Sequence, residues 1–132
     1  MPITPVKEMV DTAKARITSL SPQEARQRAE SGAALLVDIR DIRELQREGR
    51  VPGALHAPRG MLEFWIDPQS PYHKPALATS QQLVLFCASS WRSALAADTL
   101  RSMGLEDVAE IEGGFTAWRD AGLPVEEPQK PG

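Results

Sequence analysis

Cysteine, histidine and long apolar runs are what this chain has least of. Its 132 residues include one cysteine, Cys87, so no intramolecular disulfide can form. A lone thiol is more at home in a reducing compartment than outside the cell, and a cytoplasmic location is expected. Nowhere do about 18 apolar residues run together, the length a helical membrane span needs. The opening MPITPVKEMVDTAKARI has no apolar core of signal-peptide length, so neither export nor membrane association is expected. Basic clusters are missing as well: 15 Lys+Arg against 18 Asp+Glu give a net charge of −3, which argues against a nucleic-acid partner. His56 and His73 are the only histidines and lie far from Cys87 in sequence. One thiol and two scattered imidazoles fall short of a metal site, and neither metal nor cofactor is expected.

What is present suits one folded domain. Hydrophobic residues make up 42% and charged residues 25% of the chain, the balance of an ordinary globular protein. A chain of this length buries roughly two-thirds of its unfolded surface on folding and needs no staple. Internal repeats and low-complexity tracts are absent.

Apolar spacing and punctuation divide the chain. Val6, Met9, Val10, Ala13 and Ile17 recur at helical spacing after Thr4 and Pro5, predicting an amphipathic helix capped by Thr4. In SPQE, Ser21 offers a cap, Pro22 sits at the first helical position and Glu24 closes a capping box. ALLVDI (34–39) reads as a strand buried on both faces. Asp41 and Glu44 repeat the capping box for a helix ending at Gly49, VPGA (51–54) makes a turn, and ALHA (54–57) predicts a second strand. Residues 60–82, with Phe64, Trp65, Tyr72 and His73 among prolines, predict a short helix and then an ordered loop. LVLF (83–86) is a strand, 93–103 a helix, VAEI (108–111) a strand and GFTAWRDAG a last helix. Strands alternating with helices select a parallel sheet covered on both faces, hence an α/β fold.

Cys87 follows a buried strand directly, and in open parallel sheets the binding crevice lies beyond the carboxyl ends of the strands. Residues 88–92 read as a turn and Ser93 as the start of a helix, whose amides and dipole favour an anion at the cysteine. Such surroundings bring cysteine ionisation toward neutral pH. By itself a lone cysteine is a small apolar residue; the strand, the Ser-rich turn and Arg92 together point to a nucleophile in an anion nest.

Four motifs in order, LLVDIRDIRE, RVPGALHAP, CASSWRS and EGGFTAW, make the chain resemble the rhodanese-like sulfurtransferases from about Ile17 to Pro124. The resemblance implies a mostly parallel five-stranded sheet in a domain spanning 17–125. Residues 1–16 are then an amphipathic N-terminal helix extension and 126–132 a flexible tail. Two positions depart from the family pattern. Arg50 stands where a histidine is usual, and Ser90 stands where the active loop usually has glycine. If that position needs a positive φ, serine costs on the order of 1 kcal/mol, and Ser90→Gly is expected to leave sulfur transfer intact or raise it.

The resemblance further implies that Cys87 is the nucleophile and carries a persulfide, cradled by Ala88, Ser89, Ser90, Trp91, Arg92 and Ser93. The donor would be thiosulfate or an organic persulfide, and the acceptor a thiol, cyanide or a protein. Arg92 either meets an anionic donor or folds onto Asp38 or Glu44. Asp38 and Arg40, from the Asp-x-Arg pattern, brace the loop. Phe64, Trp65 and Tyr72 are candidates for a lid over the pocket, and Trp91 either shields the sulfur or fills a gap. Phosphatases and arsenate reductases also use a cysteine in an amide cradle, but with five residues before the arginine. Here four separate Cys87 from Arg92. A non-catalytic sulfur carrier or interaction module is the third reading. The state is monomer or homodimer.

Overall fold

The computed structural model describes residues 2–128. Five short strands form one sheet: β1 (Thr18–Leu20), β2 (Ala34–Asp38), β3 (Leu55–His56), β4 (Gln82–Phe86) and β5 (Ala109–Ile111). The order is β1-β5-β4-β2-β3 and every pairing is parallel. The helices are α1 (Val6–Arg16), α2 (Pro22–Glu30), α3 (Ile42–Glu48), α4 (Leu62–Ile66), α5 (Trp91–Ser102) and α6 (Gly114–Asp120), with 3-10 turns at Arg59–Met61 and Pro75–Leu77. The expected α/β architecture is therefore present, and its sheet is wholly parallel.

Side chains of the central strands alternate between two apolar layers. Val37, Leu83 and Leu85 pack with Ala96, Ala97 and Leu100 of α5 and with Leu62 of α4. Leu36, Val84 and Phe86 pack with Ala25 of α2 and with Phe115 and Trp118 of α6. Burial on both faces is why the strand sequences read as continuous apolar runs. From β2 the chain moves outward to β3, and from β4 it moves the other way to β5. The carboxyl ends of β2 and β4 lie side by side where these paths diverge, the position at which open parallel sheets form a crevice. Ile39 N–H donates to Phe86 O there at 3.0 Å, immediately before Cys87.

Both capping boxes form, at Ser21/Glu24 and Asp41/Glu44. Other expectations need correction. Thr4 does not cap α1; Pro5 holds the N-cap position without a side-chain bond. On the apolar face of α1, Val10 and Ala13 are buried against Ala94 of α5, whereas Val6 and Met9 are about half exposed. Thr18–Leu20 was not read as a strand; with one buried residue it lacks an apolar run, and it forms the sheet edge beside β5. Helix α5 starts at Trp91, not Ser93, which shortens the turn and puts Arg92 in the helix. Within the expected flexible tail, Glu126 pairs with Arg50 through two backbone hydrogen bonds of 3.0 and 2.8 Å; residues 129–132 lie outside the described residues. Among the described residues no helix is long and apolar enough to cross a membrane.

The N-terminal helix packs on its own domain, and Val10 is its most direct test. Val10→Ala removes two buried methyl groups and should cost about 1–2 kcal/mol. Thermal unfolding should report a midpoint lower by about 3–6 °C. An unchanged midpoint would mean that α1 does not dock on α5 in solution.

Candidate active site

The loop from Cys87 to Ser90 joins β4 to the N-terminus of α5. Its carbonyls are pulled to one side by the start of α6. Phe115 N–H donates to Cys87 O at 2.8 Å and Thr116 N–H to Ala88 O at 3.1 Å. This close approach explains a glycine: a Cβ on Gly114 would lie 2.3 Å from Cys87 O. Gly114 thus seats the cysteine loop, while both glycines, at positive φ, turn the chain into α6.

Two amides further along the chain, at the end of the loop and in the first turn of α5, converge on the sulfur. Ser90 N–H reaches Cys87 Sγ at 3.3 Å and Ser93 N–H at 3.4 Å. The Cys87 thiol also lies 3.5 Å from Ser93 Oγ as a donor. Cys87 is 1% exposed. Two N–H groups at the start of a twelve-residue helix place partial positive charge at the sulfur.

Ser90 occupies the left-handed region with φ +93°. Among the described residues it is the only non-glycine with positive φ. The strain anticipated from sequence is real, but the serine is anchored as well. Its Oγ lies 2.8 Å from Glu110 Oε1 and 3.0 Å from Ile111 O, and accepts Gly113 N–H at 2.8 Å. The expectation that Ser90→Gly would leave transfer unharmed overlooked this hydroxyl.

Of the two jobs open to Arg92, the geometry favours the brace. Its two terminal nitrogens meet the two carboxylate oxygens of Glu44 at 2.8 and 2.9 Å, a bidentate pair of the strong kind. Hydrogen bonding to Glu44 pushes the guanidinium pKa up, and Cys87 lies close enough to add to the effect. Asp38 and Arg40 do not touch the sulfur. They form a buried pair, with Arg40 Nη2 at 2.8 Å from Asp38 Oδ2 and 2.9 Å from Gly49 O. The Arg40 guanidinium lies 4.0 Å over the ring of Phe115, the residue whose amide holds Cys87 O. That ring is where the pair comes into contact with the residue that holds the loop.

The other candidates disperse. Trp91 is exposed at the start of α5 and fills no gap in the core. Phe64 and Tyr72 are exposed and pack edge to face, their ring centres 6.4 Å apart. Trp65 is half buried against the apolar layer that includes Cys87. His56 Nε2 bonds Arg40 O and His73 Nδ1 bonds Trp65 O. Glu110, the acceptor at the centre of the serine network, was not singled out from sequence; its signal was one charged residue inside the apolar strand VAEI.

Glu44 gives the site a pH dependence. Hydrogen bonding to Arg92, aided by the Asp41 amide, holds its carboxyl below the ordinary glutamate range. A carboxylate lowered by folding contributes stability above its unfolded-state value and loses it as pH falls through the folded-state value. Wild type should therefore exceed Glu44→Gln in stability near neutral pH, by at most about 1 kcal/mol for so exposed a partner. The difference should shrink steadily in denaturation curves taken as the pH falls below the ordinary glutamate range of about 4.3. A gap that stays constant with pH would contradict the pairing.

The chain is similar to several known proteins. The model of the rhodanese-like domain matches residues 21–121. A sulfurtransferase of Allochromatium vinosum is 31% identical over 101 residues, covering 76% of this chain and 86% of that protein. An uncharacterized Synechocystis protein is 34% identical over 117 residues; the match takes in 89% of this chain but only 60% of that protein. Among solved structures, the polysulfide-sulfur transferase homodimer of Wolinella succinogenes is 35% identical, with a TM-score of 0.68 and coverage of 90% of this chain and 85% of that one. A Rhodopseudomonas palustris protein of unknown function, a possible tyrosine phosphatase, is 52% identical, with a TM-score of 0.88 and coverage of 96% and 99%. With the family's model spanning β2 to β5, the cysteine loop and α6, the chain belongs to the rhodanese-like domain family.

Proposed function

We propose that this protein is a sulfurtransferase that moves a sulfane sulfur from thiosulfate or an organic persulfide to a thiol or cyanide acceptor through a persulfide on Cys87. The observation that carries this reading is the convergence of the Ser90 and Ser93 amides on Cys87 Sγ.

In the first step the Cys87 thiolate attacks the outer sulfur of the donor. The new Sγ–S bond forms as the donor's S–S bond breaks, and sulfite or a thiolate leaves with the electron pair. The outer sulfur now carries the negative charge. Amides of the first turn of α5 have no helical acceptor of their own, so Trp91 and Arg92 add donors to those of Ser90 and Ser93. In the second step the acceptor attacks the outer sulfur and Sγ departs as a thiolate, stabilised by the same amides. Arg92 adds positive potential near the sulfur while Glu44 fixes its direction.

The kinship with a possible tyrosine phosphatase raises a second reading, oxyanion chemistry at the same cysteine. Against it stand the four-residue interval between Cys87 and Arg92 and the bidentate Glu44 pair. Binding an oxyanion through Arg92 would require breaking both of its hydrogen bonds to Glu44.

Turnover assays separate the two. Wild type should convert thiosulfate and cyanide to sulfite and thiocyanate, Cys87→Ser should abolish this, and neither protein should hydrolyse an aryl phosphate appreciably. Efficient phosphate hydrolysis without thiocyanate formation would replace the sulfur reading with the oxyanion one.

A further inference from the structure

The two amides that meet Cys87 Sγ belong to Ser90 and Ser93, and the hydroxyls of these same two serines meet at one atom. Ser90 Oγ lies 2.8 Å and Ser93 Oγ 3.0 Å from Glu110 Oε1. Glu110 stands in the middle of β5 and is 0% exposed. Its other oxygen, Oε2, has no hydrogen-bond partner among the described residues. A buried carboxyl group with one oxygen left unpaired carries a desolvation penalty, and packing alone gives no reason for an acid in a strand otherwise made of Ala109 and Ile111.

We propose that Glu110 is a positioning residue for sulfur transfer: by accepting both serine hydroxyls on Oε1, it sets the two amides at their distances from Cys87 Sγ. The assignment rests on Cys87 being the reactive residue. Ser90 holds the more demanding place. It is kept at φ +93°, where serine is disfavoured, and its hydroxyl links Glu110, Ile111 O and Gly113 N–H. The loop, the end of β5 and the approach to α6 therefore meet at one oxygen. Ser93 Oγ has two further neighbours, Ser90 O at 3.2 Å and the Cys87 thiol at 3.5 Å, so its orientation bears directly on the sulfur.

Structural and positioning roles make different predictions for Ser90→Gly. Glycine accepts the positive φ without strain but cannot bind Glu110, so the fold should survive while the amides lose their guide. Rates are measured in two ways: persulfide formation from thiosulfate by mass spectrometry, and Cys87 alkylation by iodoacetamide. Ser90→Gly and Glu110→Ala should each slow both by about tenfold, the size expected for losing one buried hydrogen bond. Glu110→Gln keeps an oxygen able to accept both hydroxyls and should stay within about threefold of wild type. The inference is overturned by Ser90→Gly reacting at or above the wild-type rate, or by Glu110→Gln being as slow as Glu110→Ala. Should Glu110→Ala fail to fold, Ser90→Gly decides alone. A wild type that alkylates but never takes sulfur defeats the sulfur-transfer reading while leaving the ranking of alkylation rates to judge the positioning role.

Discussion

Everything at this site depends on which way the peptide groups of a four-residue loop face. A peptide unit has its N–H and C=O on opposite sides, so anchoring the Cys87 and Ala88 carbonyls fixes the Ala88 and Ser89 N–H groups and with them the path of the loop into α5. The α6 amides of Phe115 and Thr116 fix the carbonyls of Cys87 and Ala88, and the amides of Ser90 and Ser93 come to rest on Sγ. The absence of a Cβ at Gly114, which would overlap Cys87 O, makes that docking possible. Arg40 stacked on Phe115 supports the anchor from below, and Asp38 holds Arg40 in place. A contact between two backbone segments is thereby turned into electrostatic stabilisation of one sulfur.

The sheet serves this contact by geometry. Parallel pairing of β4 with both β2 and β5 brings the ends of three strands together, and each end delivers a part. β2 leads to Arg40, β4 to the cysteine, and β5 supplies Glu110 before leading into the two glycines. The dispersed motifs of the sequence become neighbours because all three strands point the same way.

Much of this could be read from sequence, and the reasons differ by residue. The strands β2 and β4 announce themselves as short apolar runs because both faces are covered, and Ser21, Pro22, Glu24, Asp41 and Glu44 write their capping chemistry in local order. Ser90 was legible as a suspect position, and its backbone is indeed left-handed. Its hydroxyl partners were not, since Glu110 and Gly113 lie some twenty residues downstream and only the sheet brings them near. β1 was missed because a three-residue edge strand with one buried side chain has no apolar run to show. The first turn of α5 was misplaced because Ser90 caps through its backbone alone, without the side-chain bond that marks the starts of α2 and α3.

Mass spectrometry of the intact protein after incubation with thiosulfate tests the central claim most directly. The single cysteine makes the result unambiguous. Wild type should gain the mass of one sulfur atom, located on Cys87 and removed by cyanide. A protein whose Cys87 is reduced and reactive yet gains no sulfur, or a Cys87→Ala variant that gains the same mass, would contradict the account.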